Sequence, residues 1–234
     1  MATLRKLPRW AWIGGSLLAF IAGSINAVGF MSFRHQAVTH LTGTTTELGV
    51  AVVQGNGAEV LHWVLAIAAF VLGAVISGFI VQQSTLQLGR RYGVVLMLES
   101  ALLLAAVPLL HDANDLGLYL ASIACGLQNA MVSTYSGMVF RTTHLTGIFT
   151  DLGIYLGQRL RGLEVDMRRI HLSLLVATSF LSGAVAGGFT FRVLAERTLL
   201  VPAALTGLAG LVYTIYQHRA ITSGRLPPES ARDS

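Results

Sequence analysis

Only one cysteine, Cys125, stands in 234 residues. No disulfide can close within such a chain. No Cys/His cluster has the spacing of a metal site, so no metal ligand set is expected. Charge is scarce as well. Asp, Glu, Lys and Arg together make up 12%, about half the share of an average soluble chain. The catalytic signatures GxSxG and HExxH are absent, as are a P-loop and a dinucleotide fingerprint. Nothing therefore points to a nucleotide, a cofactor or a known hydrolase.

What fills the space is apolar. Hydrophobic residues reach 53%, and mean hydropathy is +0.65. They fall in six blocks, about Trp10–Phe33, Leu61–Val81, Tyr92–Leu110, Leu116–Met138, Ile170–Phe191 and Leu199–Tyr216. Each can cross about 30 Å of hydrocarbon as a helix. A helix satisfies its own backbone in lipid. The expected class is an all-α polytopic membrane protein, one membrane domain over 1–219, with the lipid bilayer as its solvent. The start "MATLRKLPRWAWIGG" has the basic flank of a signal peptide, but its apolar run recurs later in the chain, which favours a retained span. The tail, residues 220–234, has no apolar period and is expected to be disordered and cytoplasmic.

The net charge of +5 and pI near 9.9 fit basic loops on one side of a membrane better than a nucleic-acid partner. With six spans and the N-terminus inside, the inner side holds 13 of the 16 basic residues, and Arg34, Arg192 and Arg197 are the outer three. That bias puts both termini in the cytoplasm of a bacterial inner membrane. An eight-span version makes two further segments cross. It gives a poorer split of 10 against 6, yet Val38–Gln54 is about 27 Å long as a helix and reaches across.

One polar phrase appears twice. "THLTGTTTELG" runs from Thr39 to Gly49, and "THLTGIFTDLG" from Thr143 to Gly153. The repeat is wider than the phrase. "AGSINAVGF" aligns with "CGLQNAMVS", pairing Asn26 with Asn129. "FVLGAVISGF" aligns with "FLSGAVAGGF". The offset drifts from 103 to 104 to 110 residues. Two halves follow, about 8–111 and 112–219. A period this long is a fold duplication, not a solenoid. Three spans per half would invert the second half relative to the first, a recurrent transporter architecture. Eight spans would make the halves parallel.

The residues also resemble a family. The polar turn in the first span, the Thr-Gly phrase and the later "GLQNAM…TTHLTGIFTDLG" look like the YoaK-like family of bacterial membrane proteins, over about Trp12 to His218. The resemblance implies six membrane spans and an integral membrane location. It implies no substrate and no catalytic residue. Here Asn26 stands where an acidic residue is common in that family, and Thr44 where Asn is common.

In each phrase the chain is expected to enter the membrane, turn at Gly43 or Gly147, and start a helix. Thr42, Thr44 and Thr45 are candidate N-caps, and Thr44 to Glu47 has capping-box spacing. A carboxylate at the bilayer centre costs roughly 2.5–3.5 kcal/mol. The expected pathway residues are therefore Asn26, His40, Thr42, Gly43, Thr46, Glu47, Glu99, Gln128, Asn129, His144, Thr146, Gly147, Thr150 and Asp151. Their plain alternative is a pair of capped turns, hydrogen-bonded histidines and amides bridging helices. Glu99 interrupts "YGVVLMLESALLL" as a lone acid, a functional candidate by default. Gly73, Ser77, Gly78, Gly183, Gly187 and Gly188 have the four-residue spacings of close helix packing.

Together these features lead us to expect a transporter or channel for a small solute or ion, with a central site formed by the two phrases. A membrane-embedded enzyme on a lipid or small solute, using Ser or Thr with His40 or His144, stays open. So does a structural or regulatory subunit. A homodimer is compatible with six spans.

Overall fold

The computed structural model describes residues 9–81, 91–135 and 142–222. These residues form eight α-helices and no strand. They are α1 (Arg9–Met31), α2 (Leu41–Val53), α3 (Gly57–Ile80), α4 (Arg91–His111), α5 (Asp115–Tyr135), α6 (Leu145–Leu160), α7 (Met167–Leu194) and α8 (Leu200–Thr222). A short 3-10 helix, Ala195–Leu199, joins α7 to α8. Five segments are long and apolar enough to cross a membrane: Trp12–Met31, Gly57–Ile80, Arg91–His111, Asp115–Thr134 and Met167–Arg219. The last, 53 residues long, contains α7 and most of α8. The chain is thus an all-α protein with the helices of a membrane protein.

The expected blocks meet the helices within a few residues. The differences come from polar caps. Asn56 accepts a hydrogen bond from the Glu59 amide, and Asp166 from the Arg168 amide. Each moves a helix start outward beyond the apolar run. At the far end α8 continues to Thr222, so residues 220–222 of the expected disordered tail are helical. The rest of that tail lies outside the described residues, as do Arg5, Lys6, Arg90, Arg141, Arg225 and Arg232 of the orientation argument.

Packing runs between distant parts of the chain. The main pairs are α1 with α7, α3 with α5, and α4 with both α5 and α8. Glycines set the closest crossings. A Cβ at Gly23 would strike the Phe180 carbonyl, and one at Gly183 the Phe20 carbonyl. A Cβ at Gly126 would strike the Phe70 carbonyl, and one at Gly73 the Ile123 carbonyl. By the repeat, Gly23 matches Gly126 and Phe70 matches Phe180. The α1–α7 crossing and the α5–α3 crossing are therefore one contact made twice, with small residues letting backbones touch.

The two seams settle which small residues pack. Gly73, Ser77, Gly183 and Gly187 are buried. Gly187 sits on Ser24, where a Cβ would lie 2.9 Å from three of its atoms. Gly78 has nothing within 4 Å, and Gly188 meets only the Met31 sulfur at 3.7 Å. Gly78 is exposed and faces away from its crossing, so the expectation that it packs there is corrected, while Gly188 lies at the edge of the α1–α7 crossing with room for a methyl group. Spacing by four defines two adjacent helix faces and does not say which one meets a neighbour.

Candidate functional site

After α1 the chain turns back on itself. His35 adopts a φ of 50°. The Gln36 amide donates to the Gly29 carbonyl at 3.2 Å. A Cβ at Gly29 would lie 2.6 Å from the Gln36 oxygen, so only glycine lets the returning chain pass. The Thr39 amide then donates to Asn26 Oδ1 at 2.8 Å. Asn26 lies inside α1, five residues short of its end. The chain has therefore come back about 7 Å along α1 before α2 begins.

The second copy is pinned alike. The Thr143 hydroxyl donates to Asn129 Oδ1 at 3.0 Å, just before α6. The paired asparagines thus have one job: each holds the entry to its own phrase. Asn26 and Asn129 do not bridge helices, as the plain alternative had it for all three amides; Gln128 does. The two asparagines hold loops.

The capping expectation needs correction. The N-caps of α2 and α6 are His40 and His144, and neither makes a side-chain cap bond. The threonines lie inside the helices and bond backward. The Thr44 hydroxyl donates to the His40 carbonyl at 3.2 Å, Thr45 to Leu41 at 2.8 Å, and Thr46 to Thr42 at 3.0 Å. Thr150 donates to Thr146 at 2.9 Å. The helix opens two residues before Gly43, so a hydroxyl at Thr44 is a turn too late to cap it. Gly43 and Gly147 serve the histidines: a Cβ at Gly43 would lie 3.2 Å from His40 Nδ1, and one at Gly147 would strike the His144 ring.

The phrases are not brought together. α2 packs on α3, and α6 on α7. The Gln128 amide group donates to the Leu18 carbonyl at 3.4 Å, which levels α5 against α1. Asn129 is next to that level, while Asn26 is eight residues beyond Leu18, about 12 Å along the axis. Thr42, Thr46, Glu47, Thr146, Thr150 and Asp151 are all exposed on their short helices. At the first phrase, Phe30, His35, Gln36, His40, Thr44, Glu47 and Trp63 line an open pocket of about 250 Å³.

A network that the sequence reading missed lies beside this pocket. Arg34 Nε donates to Asp115 Oδ1 at 2.8 Å and Nη2 to Oδ2 at 2.7 Å, a bidentate pair. Arg34 Nη1 donates to Glu59 at 2.9 Å. The hydrogen bonds Arg34 donates to Asp115, then the Asp115 charge and the bond and charge of Glu59, hold the guanidinium above its ordinary range against desolvation. His62 is buried next to them. With the proton on Nε2, it donates to Gln36 Oε1 at 3.0 Å and accepts from the Tyr119 hydroxyl at 2.9 Å. The network joins the end of α1 to the starts of α3 and α5. Its hydrogen-bonded partners are 25 to 81 residues apart in sequence, so no local spacing announces it. The usable signal was Asp115 and Glu59, acids opening two apolar runs.

Glu99 is fully buried in α4, with no hydrogen-bond partner for either oxygen among the described residues. Gln128 Oε1 and Ser122 Oγ on α5 are likewise buried and unpartnered there.

A search of curated proteins finds no match, and neither does a search of solved structures. One family model matches residues 14–212, that of a family described as a protein of unknown function, DUF1275. The match covers most of the chain, and the chain belongs to that family.

Proposed function

We propose that this DUF1275 protein carries a small solute or ion across a bacterial inner membrane, with both termini cytoplasmic. It would be built of two inverted three-span halves. Membership of the YoaK-like family, compatible with the family match, is part of the same reading. The observation that carries it is the doubled re-entry: Asn26 and Asn129, paired by the repeat, each hold the start of a short helix. In lipid, irregular backbone of this kind is tolerated where it is buried in protein or lines a water-filled path. Paired short or broken segments in two halves are the usual mark of a transporter's path.

The supporting geometry is of three kinds. α2 and α6 have 13 and 16 residues, about 20 and 24 Å, short of a full crossing. The network at Arg34 gathers the end of α1 and the starts of α3 and α5 at one face, as alternating spans require. The positive-φ glycines Gly55 and Gly162 follow the two short helices in matching places. Because the phrases lie about 12 Å apart in level, the path we propose runs from one phrase, through a buried middle layer, to the other. Asn26, His40, Glu47, Asn129, His144 and Asp151 line its two mouths, and Glu99 and Gln128 its middle.

The test is flux of a panel of inorganic ions, amino acids and carboxylates into proteoliposomes holding the full chain. A solute that crosses with the wild type, and not with a folded Glu47→Gln/Asp151→Asn variant, supports the reading. Unchanged flux in that variant removes the phrases from the path. Turnover of a lipid in detergent, with no gradient, would replace transport by the enzyme reading.

A further inference from the structure

The middle layer can be located by register. A Cβ at Gly117 would lie 3.1 Å from the Ala106 carbonyl and 2.9 Å from the Leu110 amide. Followed back along the antiparallel α4–α5 pair, this contact puts Glu99 level with residues 124–128. Cys125 is within electrostatic reach of the Glu99 carboxyl, as that register requires. On the other side the Ser100 hydroxyl donates to the Ala203 carbonyl at 2.7 Å, and a Cβ at Gly207 would lie 2.7 Å from Ser100 Oγ. Glu99, fully buried, is the neighbour of Ser100 on a helix packed between α5 and α8. The level of the first phrase lies on one side of it and that of the second on the other.

Three acceptor oxygens in this layer lack a donor among the described residues, Glu99 Oε1 and Oε2 and Gln128 Oε1, and the Ser122 hydroxyl farther along α5 is also without a partner there. The Gln128 amide group is already spent on Leu18. A buried carboxylate with no donor is among the costliest arrangements a protein can hold. One proton on the carboxyl removes the charge and creates the missing donor. A calcium or magnesium ion would need about six to eight oxygens and room for them. The close approach of Gly207 to Ser100 leaves little room on that side.

We infer that Glu99 is a proton-binding site at the centre of the molecule, with Gln128 on α5 as acceptor for the bound proton. Binding forms one O–H bond on the carboxylate, and release returns the proton to water without any redox partner. For its use the site rests on the transport reading, as the place where a proton would couple to solute movement; its existence does not depend on that reading. Cys125 is the titratable group facing it from α5. From α8 the same level presents Ala203, Thr206 and Gly207, none of which titrates.

The experiment is infrared difference spectroscopy of the full chain in lipid at pH 7, with no solute added. Expected is a protonated-carboxyl C=O band that shifts in D2O and is lost in Glu99→Gln. Should that variant not fold, Glu99→Asp serves instead and is expected to move the band. Gln128→Leu is expected to shift the band without removing it, and an unmoved band would overturn the role of Gln128. Absence of the band in the wild type, its persistence in Glu99→Gln, or its removal by sodium at constant pH would each overturn the proton site. None of these results depends on finding the solute, so failure here and failure of transport are separately visible.

Discussion

At one end of the bundle Arg34 grips Asp115 and Glu59, and His62 links Tyr119 to Gln36. The repeat puts Trp12, Arg169, Leu172 and Ser16 where Asp115, Glu59, His62 and Tyr119 stand. There the Ser16 hydroxyl merely bonds back to the Trp12 carbonyl at 2.7 Å, within its own helix. The glycine seams, by contrast, are the same in both halves, Gly23 on Phe180 and Gly126 on Phe70. Features kept twice serve the fold that both halves share. A feature made once serves one end. The ionic network therefore ties one end of the bundle, and among the described residues the repeat does not reproduce it at the matching positions, where Arg169 instead hydrogen-bonds Tyr155.

Breaking a shared seam should do most. Gly183→Ala forces a methyl into the Phe20 carbonyl, and we expect a loss of about 1–3 kcal/mol or more, seen as a lowered thermal midpoint in detergent. Gly73→Ala, the matching change, should cost a similar amount. A large difference between them would break the equivalence of the seams. Next comes the ionic network. Arg34→Gln leaves two acids facing each other, but the three side chains are about a third exposed, so roughly 1 kcal/mol is expected. The sharper readout is access. A cysteine at Gln36 should react faster with a thiol reagent in the Arg34→Gln background, while one at Ser16 should not change.

The asparagines come after these. Asn26→Ala strands the buried Thr39 amide, at about 1 kcal/mol or more. Asn129→Ala strands only a hydroxyl, which can rotate to another acceptor, and should cost less. Equal losses would contradict the difference between a fixed amide donor and a rotatable hydroxyl. Smallest of all, Gly78→Ala meets open space and should stay within about 0.5 kcal/mol.

Much of this frame was legible in the residues. Apolar runs of span length needed no tertiary knowledge, and α4 lies within a residue or two of its expected bounds. Asn26 and Asn129 were found because a duplicated chain reuses its pins at a nearly constant offset. Glu99 was found because one acid in an apolar run has no local excuse. The threonines were misread because a hydroxyl near a helix start has two options, capping forward or bonding back, and the deciding fact is where the helix begins. Here Asn26, in another helix, fixes that point. Arg34 with Asp115 was invisible for the same reason: the pair exists only once α1 and α5 are side by side.

The central claim is that the two halves are inverted, so that the short helices return to opposite faces. It is tested most directly with Cys125 replaced by alanine and a single cysteine placed at Gly57 or at Glu164. Both positions are exposed, and they follow α2 and α6 in matching places. An impermeant maleimide added to intact cells should label position 57 and reach position 164 only after the membrane is opened. Labelling of both in intact cells would place the two short helices on one face, and the inverted halves would have to be given up.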